Sequence, residues 1–236
     1  MVATDRPQPA TDFRKAIFKQ KVENFMSHTE LSTPSIAILG AGRVGSSLAR
    51  AAVSAGYEVK VAGSGSVDKI MLTAEILMPG AVATTAEQAV KDADIVFLAV
   101  PLHKFRSIDA TGLAGKIVID TMNHWVPVNG ELEEIDQDPR STSEIIAEYF
   151  GDAKVVKTFN HIGYHEIEQD AHTGRAIAYA TDDAAAGVEV AQVIEHLGFV
   201  PLNIGALAHG RVLEPGQEAF GAHLTKDSRL EPVSQR

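Results

Sequence analysis

Cysteine is absent from the 236 residues, which removes disulfides, thiolate zinc sites and cysteine-held iron–sulfur clusters. Long apolar runs are missing too: the longest, residues 95–102, falls far short of the roughly 20 residues a membrane-spanning helix needs. No apolar h-region marks the N-terminus, so no signal peptide is expected. Basic residues are in deficit, 21 against 31 acidic, and the net charge of -10 argues against nucleic acid as a partner. What is present is ordinary for a globular chain: 45% hydrophobic and 22% charged residues, values that exclude wholesale disorder. A chain of this length buries about 70% of its unfolded surface and needs no covalent staple. The composition predicts a cytoplasmic globular protein with no membrane partner.

Three regions are expected. Residues 1–34 form an arm in which Phe13, Ile17, Phe18, Val22 and Phe25 recur at helical spacing among charged residues, the pattern of one amphipathic helix. Residues 35–215 alternate short apolar runs with helical stretches. Residues 216–236 turn polar and are expected to be a fraying tail. Within the middle region strands are expected at 36–39, 59–62, 81–83, 95–100, 117–119, 155–159, 177–180 and 200–203. Helices are expected at 44–55, 86–90, 144–150 and 184–196, with Ser141 and Glu144 as a capping box and Gly56 as a C-terminal cap. Several strands are apolar on both faces, as strands in a sheet covered by helices on each side must be. The expectation is an α/β, doubly wound, mostly parallel Rossmann-type sheet with helices on both faces, preceded by a helical arm.

Gly40-Ala41-Gly42-Arg43-Val44-Gly45 stands between the first strand and the first helix. That context turns a common glycine pattern into a dinucleotide-binding loop. Gly40 allows the tight turn, Gly42 the approach of a diphosphate, and Gly45 the packing of helix on strand. The helix N-terminus adds backbone donors and a partial positive charge. The second strand, Val59-Lys60-Val61-Ala62, runs into Gly63-Ser64-Gly65-Ser66 with no acid at its tip. A carboxylate there would hold the ribose of NAD, whereas Ser64 and Ser66 can donate to a 2′-phosphate, so NADP is favoured.

Ligands in open α/β sheets lie beyond the carboxyl ends of the strands. Three such ends put Val100, Pro101, Asn123, Asn160 and His161 around the expected nicotinamide position. Nine histidines raise the question of a metal. The closest cluster, His161, His165 and His172, is interrupted by Gly163, and no metal site is expected. The acidic run Glu131, Glu133, Glu134, Asp136 and Asp138 reads as a solvated loop. No activated nucleophile is recognisable, which fits hydride transfer, where the cofactor carries the chemistry.

Taken with Leu98-Ala99-Val100-Pro101, Val126-Pro127, Val155-Val156-Lys157-Thr158-Phe159-Asn160, Asn203-Ile204-Gly205 and Arg211-Val212-Leu213-Glu214, the glycine loop and the Gly63-Ser64 tip resemble the coenzyme F₄₂₀-dependent NADP oxidoreductase family over about residues 35–215. The resemblance implies that Gly40, Gly42, Arg43, Val44 and Gly45 hold the diphosphate and Ser64 the 2′-phosphate. Pro101 and Asn123 would then flank the nicotinamide, with Asn160, His161 and Ile162 where a deazaflavin stacks. It departs from the family where Gly65 and Ser66 replace basic residues and where Asn160 replaces His. The implied activity is hydride transfer between NADP(H) and a planar redox co-substrate, F₄₂₀ or a flavin, with Asn123, Asn160 and His161 at the reacting end. A homodimer is expected on general grounds. The alternative is a non-catalytic module that senses NADP(H) and acts through a protein partner.

Overall fold

The computed structural model describes residues 33–233, the Val128 side chain apart. The expected arm helix lies outside the described residues. The chain divides into Met1–Thr33 and a compact body, Pro34–Arg236.

The body is built on eight strands: β1 (Ile36–Leu39), β2 (Val59–Ala62), β3 (Val82–Ala83), β4 (Ile95–Leu98), β5 (Ile117–Asp120), β6 (Lys154–Thr158), β7 (Ala176–Thr181) and β8 (Val200–Asn203). Their spatial order is β3-β2-β1-β4-β5-β6-β7-β8. Every pair is parallel except β6 with β7. The chain winds outward from β1 to β3, then returns to β4 and winds the other way, so a crevice opens where β1 and β4 end side by side.

Eight helices of regular α form are described: α1 (Arg43–Ser54), α2 (Val67–Leu77), α3 (Ala86–Lys91), α4 (Val126–Asn129), α5 (Glu133–Asp136), α6 (Thr142–Phe150), α7 (Glu166–Gln169) and α8 (Ala184–His196). Alternation along the strands divides the core. Ile36 and Ile38 pack in one layer with α1, Ala74 of α2 and α8, whereas Ala37 and Leu39 pack in the other with α3 and α6. Both faces being covered explains why β1, β4 and β5 are buried at every position.

All eight expected strands form, with bounds shifted by a residue or two. β4 is shorter than expected because Ala99 and Val100 leave the strand direction and line the crevice. The capping box of α6 is made: Ser141 Oγ accepts from Glu144 N at 3.2 Å, and Glu144 Oε2 accepts from Ser141 N at 2.7 Å. Gly56 closes α1 with φ +87°.

Four helices were not expected. α4, α5 and α7 are single turns, too short to show a period. α2 hides its period because Met71, Leu72, Ile76 and Leu77 are exposed while Ala74 is its one fully buried side. The acidic run is therefore not simply a solvated loop, since α5 lies within it and buries Ile135.

The C-terminal segment also departs from expectation. Ala219 and Leu224 are buried with Ala176, Ala178, Val212 and Leu213 in a third apolar cluster. Leu224 O accepts from Ala176 N at 2.9 Å, and His161 O from Gly221 N at 2.9 Å. Polar composition concealed a segment that covers β7 where a helix would otherwise lie.

Gly45 and Gly42 separate packing from binding. A Cβ on Gly45 would stand 1.8 Å from Gly40 O and 3.3 Å from Ile38 Cγ2, whereas one on Gly42 would meet nothing within 4 Å. Gly45→Ala is expected to cost about 1–3 kcal/mol by overpacking, read as a lower urea midpoint. Gly42→Ala should change stability by less than about 0.5 kcal/mol.

Candidate functional site

The glycine loop floors a groove of about 970 Å³ at the β1–β4 crevice. Gly40 is at φ +125°, and a Cβ there would lie 2.3 Å from Ala99 O, so only glycine lets the two strand ends approach this closely. Beyond it α1 begins without a side-chain cap, its N-cap being Gly42. Helix N-termini carry unpaired N–H groups and partial positive charge, which suits a diphosphate. The open space over Gly42 is where such a group fits without displacing protein atoms.

Ser64 lines the same groove, with Ile70 of α2 and Val90 of α3 as apolar walls and Val100 and Pro101 at its far end. Ser66 is the N-cap of α2, and its hydroxyl makes no cap bond. Arg43 lies with its guanidinium carbon 5.5 Å from the centre of the Tyr164 ring, a cation–π contact that reaches from α1 to the loop after β6. Lys91, Lys104 and Lys116 also line the groove. Sequence reasoning passed over them because lysines are common on surfaces, although Lys104 follows the Val100-Pro101 end directly enough to have been a candidate. The residues present thus fit a phosphorylated dinucleotide: a glycine floor, donors at two helix N-termini and cations on the far wall.

The second half of the rim is held differently. Thr121 Oγ1 donates to Leu98 O at 2.7 Å, tying the end of β5 to β4. Asn123 Nδ2 donates to Asn160 O at 2.6 Å, while Asn160 Nδ2 donates to Asn123 Oδ1 at 3.1 Å and to Leu213 O at 2.7 Å. The two amides form a clamp between the ends of β5 and β6. Asn123 is half-buried at the rim, but Asn160 is 3% and His161 1% exposed. Asn160 and His161, expected at the reacting end, are thus buried behind the rim, where the backbone bends at Phe159 with φ 59°.

His161 Nε2 accepts from Ala178 N at 3.3 Å. Burial, reinforced by the charges of Arg175 and Lys157, pulls its pKa from 6.5 to about 3. The ring is therefore a neutral spacer between β6 and β7.

Beneath the clamp lies a buried ionic group. Lys157 and Asp120 are paired residues of β6 and β5, and neither is exposed. Lys157 Nζ donates to Thr142 Oγ1 at 2.8 Å and Ser143 Oγ at 3.1 Å, and it lies 3.6 Å from Asp120 Oδ2 and 3.5 Å from Glu214 Oε1. Ser143 Oγ donates to Asp120 Oδ2, and Glu214 Oε1 accepts from Thr142 N at 2.7 Å. The α6 N-terminus, two strands and Glu214 are locked around one ammonium. Lys157 lies within an expected strand, and nothing in the adjoining sequence marks the partners that gather around its charge.

A second cavity, of about 320 Å³, begins at His124 and is lined by Trp125, Asp136, Arg140, Arg211 and Glu214 among others.

A doubly wound sheet with a glycine cradle at its switch point is the architecture of a dinucleotide-binding oxidoreductase domain. Residues 35–124 match the family described as NADP oxidoreductase, coenzyme F₄₂₀-dependent. The chain is 33% identical over 184 residues to Metalloreductase STEAP3 of Rattus norvegicus, a match covering 77% of this chain and 36% of that protein. It thus spans about a third of the length of the curated relatives it matches. Among solved structures, a hypothetical protein from Sinorhizobium meliloti is 29% identical with a TM-score of 0.73, the match covering 85% of this chain and 100% of that one. An Arthrobacter sp. FB24 protein assigned as an F₄₂₀-dependent NADP-reductase is 26% identical with a TM-score of 0.65, covering 76% and 88%. No described helix is long and apolar enough to cross a membrane.

The unfolded chain protonates His161 near its ordinary 6.5, whereas the folded chain does not until about 3. This group's contribution to stability is thus present above the unfolded value and is lost as pH falls through that window. The His161 Cε1–H resonance should stay fixed from about pH 8 to about pH 4.5 in the folded protein, where a solvated histidine would titrate.

Proposed function

We propose that this chain is an NADP(H)-dependent oxidoreductase that transfers hydride between NADP(H) and a planar redox co-substrate, F₄₂₀ or a flavin. The observation that carries the reading is the groove at the switch point, where Gly42 leaves room for a diphosphate and the β2 tip offers Ser64 instead of a carboxylate. When bound, the nicotinamide supplies the hydride. The chain's own residues do the rest. The α1 N-terminus and Arg43 hold the diphosphate, and Ser64 and Ser66 donate to the 2′-phosphate. Val100 and Pro101 give apolar contact at the nicotinamide end. Asn123, fixed by Asn160, sets the spacing between the two halves of the site. The family and the reductases it resembles support the same reading. A homodimer remains part of the proposal, with a light-scattering mass of one chain as its refutation.

The test is a titration of the purified protein with NADPH and NADH, followed by nicotinamide oxidation with F₄₂₀, FMN and ferric chelate as acceptors. Turnover of NADPH supports the proposal. Binding without turnover on any acceptor would favour a sensor of NADP(H) instead.

Two substitutions test the placement. Gly42→Asp sets a carboxylate against the diphosphate and should weaken NADPH binding by about 100-fold or more. Wild-type affinity in that variant would show that the cofactor lies elsewhere. Ser64→Asp should raise the NADPH Kd about 10-fold while leaving NADH unharmed, shifting the preference between the two.

A further inference from the structure

In a chain of net charge -10, arginines find carboxylates easily. Arg50 pairs with Glu168, Arg106 with Glu134, Arg140 with Asp138 and Glu148, and Arg175 with Glu166 and Asp170. Arg43 departs from this pattern. Among the described residues it makes no hydrogen bond or ion pair, and its guanidinium rests on the Tyr164 ring, 5.5 Å from the ring centre. A guanidinium held through its face keeps its N–H donors, which lie in its plane, open to an anion. An ion pair would have occupied them.

Where this contact lies in the sheet decides which part of a dinucleotide Arg43 can serve. Arg43 opens α1, directly after its N-cap Gly42, whereas Tyr164 stands in the loop between β6 and α7. β1 has β2 on one side and β4, β5 and β6, in that order, on the other. Three strand spacings of about 4.8 Å put the end of β6 about 14 Å from the end of β1. Tyr164 therefore draws the guanidinium towards β6 and away from the β2 tip, where Ser64 lines the groove. A 2′-phosphate would lie at that tip, and the nicotinamide half of a dinucleotide on the other side of the crevice.

Tyr164 is itself fixed. Gly163 N donates to Glu166 Oε2 at 2.8 Å, Glu166 N donates to Gly163 O at 2.9 Å, and Glu166 Oε1 lies 3.1 Å from Nη1 of the buried Arg175. The turn that carries the ring is thereby anchored in the core. The His165 ring packs against that of Tyr164 edge to face, 5.4 Å between centres. Tyr164 is 38% exposed, so its ring is placed by this anchored turn and not by burial.

We propose that Tyr164 is a positioning residue that holds Arg43 for the diphosphate, on its nicotinamide side, and that Arg43 takes no part in choosing between NADP and NAD. The inference rests on the oxidoreductase reading above. A long side chain that is ordered before the ligand arrives loses less freedom on binding it, which raises affinity without a new contact. The choice between the two cofactors then falls to the β2 tip, across β1 from the Arg43–Tyr164 pair.

The test measures binding of NADPH, NADH and 2′-AMP to the full chain, the last carrying the 2′-phosphate without the diphosphate. Tyr164→Leu should raise the Kd of NADPH and of NADH alike by about 3- to 5-fold. The Kd of 2′-AMP and the thermal midpoint should not move. Tyr164→Phe, which keeps the ring face, should bind all three as the wild type does. Arg43→Gln should raise both dinucleotide Kd values by about 30-fold, and adding Tyr164→Leu to it should cost nothing further. Wild-type affinity in Tyr164→Leu, or a Tyr164→Leu effect that persists in the Arg43→Gln background, overturns the positioning role. A loss confined to NADPH and 2′-AMP places Arg43 at the 2′-phosphate and overturns the assignment to the diphosphate. Either result leaves the oxidoreductase reading intact, whereas a wild-type protein that binds neither dinucleotide overturns both.

Discussion

The ammonium of Lys157 is the constraint on which the β5–β6 half of the molecule depends. Burying one unpaired charge costs several kcal/mol, so the chain must deliver partners to it, and those partners are the elements that form the rim. Asp120 comes from the neighbouring strand, Ser143 and Thr142 from the first turn of α6, and Glu214 from beyond the last 3-10 turn, Leu207–Leu213. Once they converge, the end of β5 and the end of β6 are at a fixed distance. The Asn123–Asn160 clamp then closes above them. Burial, reinforced by Arg175 and by this same charge, keeps His161 neutral.

The cofactor half depends instead on missing atoms. Gly40 and Gly45 remove side chains so that backbone can meet backbone, at Ala99 and at Gly40 itself. Gly42 removes one where the protein has no use for the space. The three glycines of one short motif thus differ: two are required by the fold, and the third opens free space over the helix N-terminus. That separation makes the groove recognisable as a binding site without reference to its pattern in the sequence.

Joined, the two halves give a division of labour along a single line of strand ends. Donors and cations gather over β1, β2 and β4, where a phosphorylated dinucleotide would lie. The amide clamp stands at β5 and β6. Past it, polar and aromatic groups line a smaller cavity reaching to α5 and the segment after Leu213. The C-terminal segment contributes to this order by packing on β7 and holding Glu214 and Leu213 against the rim.

Much of this was legible in the sequence, and what was not has a common cause. Strand positions, the glycine loop, the Ser64 tip and the α6 capping box depend on neighbours within a few residues, and apolar alternation or turn chemistry records them directly. α2 was missed because its apolar residues do not all face the core, and the buried tail because its contacts come from β7, some forty residues away. The same holds at the site. Asn160 and His161 stand at a strand end, and position alone could not reveal that the chain there turns inward. Lys157 looked like one polar residue in an apolar run until Asp120, Ser143 and Glu214 gathered around it. His124 is buried beside Asp136, 3.0 Å away, only because α5 packs there. The sequence by itself determined the order of strands and helices and the cradle for a diphosphate, because those rest on local backbone preference and missing side chains. Only the tertiary structure decided which polar groups are buried supports and which remain at the site, because burial and pairing are properties of distant segments brought together.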